Sequence, residues 1–235
     1  MSSPLGVFAA TALALAASAP LAAQPIQNPL PIAASVQANA QAGDSVAMAT
    51  LGWLYESGHG VTADAGKAAG YYRAAADKGD GFAKWRLGVM IDRNLAEGTP
   101  SEAIQLFREA AADRTSGAAA SLGVMYASGR GVDQDFEAAM RYYQAAAHMG
   151  DAHGLEGIGV LYANGQGVER DMREALAHWL VAASAGNGDA KTLLGQYMPS
   201  ASSPEAAPVF ARANQIADAY DRIVMADVRT ASVKR

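Results

Sequence analysis

Ala118-Ala119-Ala120-Ser121-Leu122-Gly123-Val124-Met125-Tyr126-Ala127-Ser128-Gly129-Arg130-Gly131-Val132 lies near the middle of the chain and sets the reading of everything around it. A small residue, an apolar-glycine pair and an aromatic follow at intervals of five and three residues, which places them on one face of an α-helix. A glycine on that face lets a neighbouring helix approach closely, and the Tyr126 ring fills the space beyond. Gly129-Arg130-Gly131-Val132 then ends the helix, because glycine takes the positive φ that strains other residues. Val132 tucks the loop onto the core.

The pattern recurs. Gly52, Gly88, Gly123, Gly159 and Gly195 are separated by 36, 35, 36 and 36 residues. Five positions earlier stand Ala47, Ala83, Ala118, Gly154 and Ala190; three positions later stand Tyr55, Ile91, Tyr126, Tyr162 and Met198. The loop returns as Gly58-His59-Gly60-Val61 and Gly165-Gln166-Gly167-Val168. A second track keeps the same period: Tyr71-Tyr72, Leu106-Phe107, Tyr142-Tyr143 and His178-Trp179, each leading into alanines. Asp64 and Asp135 precede that track, where a carboxylate suits a helix N-terminus. Each unit is helix A, loop, helix B. One such pair cannot bury its own apolar face, so the units must stack.

Small-x3-Leu-Gly-x2-Tyr-x2-Gly-x-Gly-Val, followed by an aromatic pair, Ala-Ala and a closing glycine, resembles the Sel1-like repeat family, a relative of the tetratricopeptide repeats. The first repeat carries it from Ala47 through Tyr55, Gly58, Gly60, Val61, Tyr72, Ala75 and Gly79. The resemblance implies an all-α fold: an α-α superhelix, a right-handed solenoid of helix-loop-helix repeats with capping helices. The array is expected over 43–198, as 43–78, 79–114, 115–149, 150–185 and a partial unit 186–198. The second repeat departs from the pattern, with Asp92 to Gly98 and then Pro100 in place of the glycine loop. A capping helix is expected at 32–42. Another is expected at 203–228, with Ser203 as N-cap, Pro204 at the first helical position and Val209, Ala213, Ile216, Tyr220 and Ile223 as its apolar stripe.

Met1 to Ala23 carries no charge and ends Ala-Pro-Leu-Ala-Ala before Gln24. This reads as a secretory signal peptide, 1–23, followed by a Pro-rich linker, 24–31. With no cysteine to lipidate, the mature chain is expected in the periplasm or outside the cell, with no stable membrane span after cleavage. The absence of cysteine also removes disulfides, thiolate nucleophiles and thiolate metal sites. A net charge of −5 without a basic run excludes a nucleic-acid partner. His59, His148, His153 and His178 match no helical ligand spacing, so neither metal nor cofactor is expected. No nucleophile elbow or phosphate loop is present, and the chain reads as a non-enzyme.

Stacked units curve, with the A helices lining the concave side. The positions turned away from the packing face are Trp53, Val89, Val124 and Val160, one after each glycine; Trp85 and Glu156, three before; Glu56 and Asp92, four after; and Phe82, six before. Trp53 and Trp85 are the expected aromatic anchors, the valines an apolar floor, and Glu56, Asp92 and Glu156 an acidic rim. Such a face suits a peptide with apolar side chains flanked by Lys or Arg. The central loop residues His59, Arg130 and Gln166 are assigned to the convex side. The expected function is a secreted or periplasmic scaffold for a protein or peptide of the cell envelope. The alternative is an envelope enzyme or a binder of peptidoglycan or β-lactam-like ligands.

Overall fold

The computed structural model describes residues 31–233. The expected leader and all but the last residue of the linker lie outside the described residues. Within them the chain forms eleven helices and no strand: α1 (Pro31–Gln41), α2 (Ser45–Ser57), α3 (Ala65–Ala76), α4 (Gly81–Asp92), α5 (Pro100–Ala112), α6 (Ser116–Ser128), α7 (Phe136–His148), α8 (Ala152–Asn164), α9 (Met172–Ser184), α10 (Gly188–Tyr197) and α11 (Ala206–Val233). From α1 to α10 each helix packs on the next. The A helices α2, α4, α6 and α8 also touch one another in turn and form an inner layer. The architecture is an all-α superhelix.

Helix starts are set by side-chain caps. Asp44, Asp64, Asp80, Thr99, Asp135, Asp151, Asp171 and Asn187 each accept from backbone N–H groups of the first turn. The A helices stop where Gly58, Gly129 and Gly165 take φ of +74, +70 and +68°. In the irregular second repeat Asn94 occupies the corresponding position with φ +57°. Asparagine is among the few other residues that tolerate this conformation, so the turn survives the loss of its glycine.

One contact repeats in every complete unit. A Cβ placed on Gly52 would stand 2.6 Å from the Tyr72 ring; on Gly88, 2.6 Å from Phe107; on Gly123, 2.5 Å from Tyr143. Trp179 lies against Gly159 in the same way. The ring seated on the glycine is therefore the second member of the B-helix pair, not the tyrosine three residues further along helix A. Those tyrosines stack instead on the first member: Tyr55 on Tyr71 at 5.6 Å, Tyr126 on Tyr142 at 5.4 Å and Tyr162 on His178 at 5.7 Å between centroids. Burial pushes His178 below its ordinary pKa and raises Tyr71 to about 12. Alanines flank every seated ring, four residues before (Ala68, Ala103, Ala139, Ala175) and three after (Ala75, Ala110, Ala146, Ala182), all at 0% exposure. Any larger side chain there would hold the helices too far apart for the ring to reach its glycine.

The C-terminal end differs from the expectation in two ways. Helix α11 begins at Ala206, not at Pro204, because the Ser203 hydroxyl accepts from the Glu205 N–H (3.3 Å) and its carbonyl from the Ala206 N–H (3.1 Å), holding Pro204 in a turn. It then packs on α9 and reaches α7, and leaves α10 without a B helix of its own. Val209, Ala213 and Ile216 are buried there, and Arg212 donates to Glu174 at 2.6 Å. The side chain of Ile223 lies outside the described residues. Gly195, expected to be a packing glycine, consequently holds no ring: nothing stands within 4 Å of its Cβ position.

Most of the buried apolar residues fall into two groups, one from Ala40 to Met125 and one from Ala139 to Ile216, and Tyr126 packs against both. Between them Ala119, Ala120 and Ala146 form a small bridge of their own where α6 meets α7.

The same substitution should act oppositely at two equivalent glycines. Gly123→Ala drives a methyl into the Tyr143 ring and should lower unfolding free energy by about 1–3 kcal/mol. Gly195→Ala meets open space and should raise it by up to about 1 kcal/mol through helix propensity. Gly131→Val, at φ +71° and facing Pro100, should cost at least about 1 kcal/mol. Urea melts of the three variants check this.

Candidate functional site: the inner groove

A groove of about 640 Å³ runs along the inner layer, bounded by side chains of α4, α6, α8 and α10. Trp85, Val89, Asp92, Val124 and Glu156 line it, and two smaller hollows beside it share Trp53, Phe82 and, in one, Glu56. Eight of the nine residues assigned to this face from sequence are thus brought together. Val160 is not among them: it is half-buried and packs against the C-terminal core.

At one end the aromatics form a strip. Trp53 and Phe82 are 42% and 41% exposed. Trp53 stacks on His59 (5.1 Å, 14°). Phe82 meets both Tyr72 and Trp85 edge-on, at 6.2 and 5.8 Å. Trp85 is more deeply set. Its indole N–H donates to Ser121 Oγ at 3.1 Å, and its ring lies over Gly117, 2.5 Å from where a Cβ would stand. Trp85 is therefore a wedge between α4 and α6 as well as part of the wall, while Trp53 owes the fold little.

Two of the three expected rim acids are already neutralised. Glu56 accepts from Arg86 through both its oxygens and from the Tyr72 hydroxyl at 2.8 Å. Asp92 pairs with Arg130 at 3.1 Å. Arg130 corrects a further expectation: it belongs to the groove, not to the convex surface. The two positive-φ glycines turn the Gly-x-Gly loop so that Arg130 reaches Asp92 of the preceding repeat, as His59 turns onto Trp53. Glu56 and Asp92 thus hold arginines and form no acid–base pair.

The opposite end keeps its negative character. Burial, reinforced by nearby Asp189, pushes the Glu156 carboxyl above its ordinary pKa. Asp151 caps α8 and pairs with His153 at 2.9 Å. Burial alone would raise Asp151, but its hydrogen bonds with His153 outweigh that and hold it low, while Asp151 raises His153. His148 has a different neighbour, the ring of Tyr220 on α11 at 5.3 Å. Among the described residues no group of three histidines or carboxylates is arranged to hold a metal ion.

Sequence reasoning missed Arg86, Ser121 and Asp189. Arg86 stands two before its glycine, where the other repeats carry Thr50, Ser121, Gly157 and Leu193. Nothing periodic marked it. Asp151 caps α8, and its place beside the groove follows only from the packing.

The family model for the Sel1 repeat matches four times, at residues 45–80, 83–113, 116–151 and 152–187. Among solved structures, a Sel1 repeat protein from Oxalobacter formigenes is 29% identical, with 73% of each chain covered and a TM-score of 0.60. The c5321 protein, a protective antigen present in uropathogenic Escherichia coli strains and displaying an SLR fold, is 29% identical over 70% of this chain and 35% of its own, with a TM-score of 0.60. Immunity protein Pa5087 from Pseudomonas aeruginosa shares the fold at 22% identity, covering 85% of this chain and 77% of its own, with a TM-score of 0.54. No curated protein sequence matches.

The two tryptophans should separate by stability. Trp85→Ala removes the wedge over Gly117 and should lower unfolding free energy by roughly 2–4 kcal/mol. Trp53→Ala, on the exposed strip, should stay within about 0.5 kcal/mol of the parent. Denaturant melts of both variants decide it.

Proposed function

The chain belongs to the Sel1 repeat family, whose members are generally non-enzymatic protein-interaction scaffolds, and we propose that it is a scaffold of this kind whose inner groove takes an extended peptide segment of a partner in the cell envelope. The observation that carries this reading is the exposed strip of Trp53 and Phe82 on the inner layer, continuous with the wall of the groove. Aromatic side chains on a groove are the usual anchors of binding energy. The ion pairs Glu56–Arg86 and Asp92–Arg130 leave little free charge at that end, so it suits apolar side chains. Glu156 and Asp189 at the other end suit a Lys or Arg. Helices pack about 8–10 Å apart, so the span from α2 to α8 is roughly 25–30 Å. An extended strand of about eight or nine residues covers it.

The envelope location rests on the leader: an uncharged, apolar Met1 to Ala23 with small residues before Gln24. No helix among the described residues is long and apolar enough to cross a membrane. We place the mature chain in the periplasm or outside the cell.

Two experiments test the proposal. N-terminal sequencing of the exported chain should begin at Gln24; a membrane-held chain with Met1 intact overturns the location. A photocrosslinking residue at Val124, in the groove, should capture a partner in the cells that make the protein, and one at exposed Gln144 on α7 should not. Trp53→Ala should reduce that capture about tenfold or more with its melting temperature unchanged. Equal capture from both positions, or capture indifferent to Trp53→Ala, overturns the groove as the binding face.

A further inference from the structure

The last A helix, α10, has a seat and no occupant. Two residues after the repeat glycine, the complete repeats carry Leu54, Met90, Met125 and Leu161, none more than 7% exposed. The same position on α10 is Tyr197, at 52%. Gly195 is itself exposed and faces empty space, where Gly52, Gly88, Gly123 and Gly159 each face a ring. Helix α11 leaves this surface open by turning back onto α9 and α7.

The chain contains its own template for what fits such a seat. Every B helix presents a fully buried alanine, a ring four residues later and a second buried alanine three after that. The second repeat adds charge. Lys84, four residues before Gly88, is held by Glu109 at 3.4 Å and Asp113 at 3.6 Å, which stand two and six residues after the seated Phe107. Lys191 stands four residues before Gly195 and is exposed. The other repeats carry Met48, Ala119 and Leu155 there. In its glycine, its apolar shoulder and its lysine, α10 is a second α4 lacking its α5.

We propose that the open face of α10 docks an amphipathic helix of a partner protein with the pattern Ala-x3-aromatic-x2-Ala and acids two and six residues after the ring, completing a fifth repeat in trans. The ring enters the space over Gly195, the alanines allow close approach, and the acids meet Lys191. This surface uses neither Trp53 nor Phe82, so it stands or falls separately from the groove.

The probe is the chain's own template: a labelled synthetic peptide of residues 99–114, which contains α5, titrated with the mature protein. Saturable binding is expected. Phe107→Ala in the peptide, or Gly195→Leu or Lys191→Glu in the protein, should each weaken it about tenfold or more. Trp53→Ala should leave it unchanged. Because the Gly195 Cβ position is empty and Lys191 is exposed, neither protein variant falls below the parent's melting temperature, which is measured alongside. Absence of saturable binding overturns the proposal, as does binding that survives Gly195→Leu. Self-association of the chain that Gly195→Leu abolishes, with no peptide bound, also overturns it by making a second copy the occupant.

Discussion

A ring seated on a glycine is the constraint from which the rest follows. An aromatic side chain buries on the order of 150–250 Å², but it can do so between two helices only if one supplies no side chain at the point of contact. Gly52, Gly88, Gly123 and Gly159 supply that gap, and Tyr72, Phe107, Tyr143 and Trp179 fill it. The contact explains the alanine-rich composition, because the residues flanking each ring must be small enough to bring the helix axes together. The core sets each ring between small residues, and the buried leucine, isoleucine and methionine side chains of the A helices pack around them.

The same contact dictates what the inner layer offers. Once the glycine face of each A helix is committed to its B helix, the positions on the opposite side are free, and they recur with the repeat. Trp53, Val89 and Val124 are one such series. The chemistry of the groove is therefore written at positions the fold does not need, and it changes along the array from aromatic to acidic while the packing stays constant. Trp85 is the exception, since its ring also rests on Gly117 and ties successive A helices together.

Periodicity made the fold legible. Every complete repeat has its helices where the glycine track places them, and even the irregular loop keeps its turn through Asn94. What periodicity could not supply was pairing between repeats. Glu56 and Asp92 looked like a free acidic row because their arginines lie elsewhere in sequence, Arg86 on the next A helix and Arg130 in a loop. Arg130 looked convex because the direction of a Gly-x-Gly turn depends on backbone angles that the letters do not fix. The tyrosines three residues after each glycine could be given no particular neighbour for a related reason: a sequence track shows that two rings share a period, not which of them reaches across. Gly195 shows the limit from the other side, a residue that keeps the motif where the partner helix is missing.

The pairing inside each repeat has a mechanical consequence. Each A helix meets its own B helix over a broader surface than that B helix meets the next A helix. The stability of a repeat array is a sum of unit and interface terms, so the narrower junctions between repeats, α3 on α4 and α5 on α6, are where local opening is easiest. The inner groove lies across the second of these, with Val89 on one side and Val124 on the other. An occupant reaching from the tryptophan end to the acidic end would splint the repeats it spans, and its grip would depend on the angle between them.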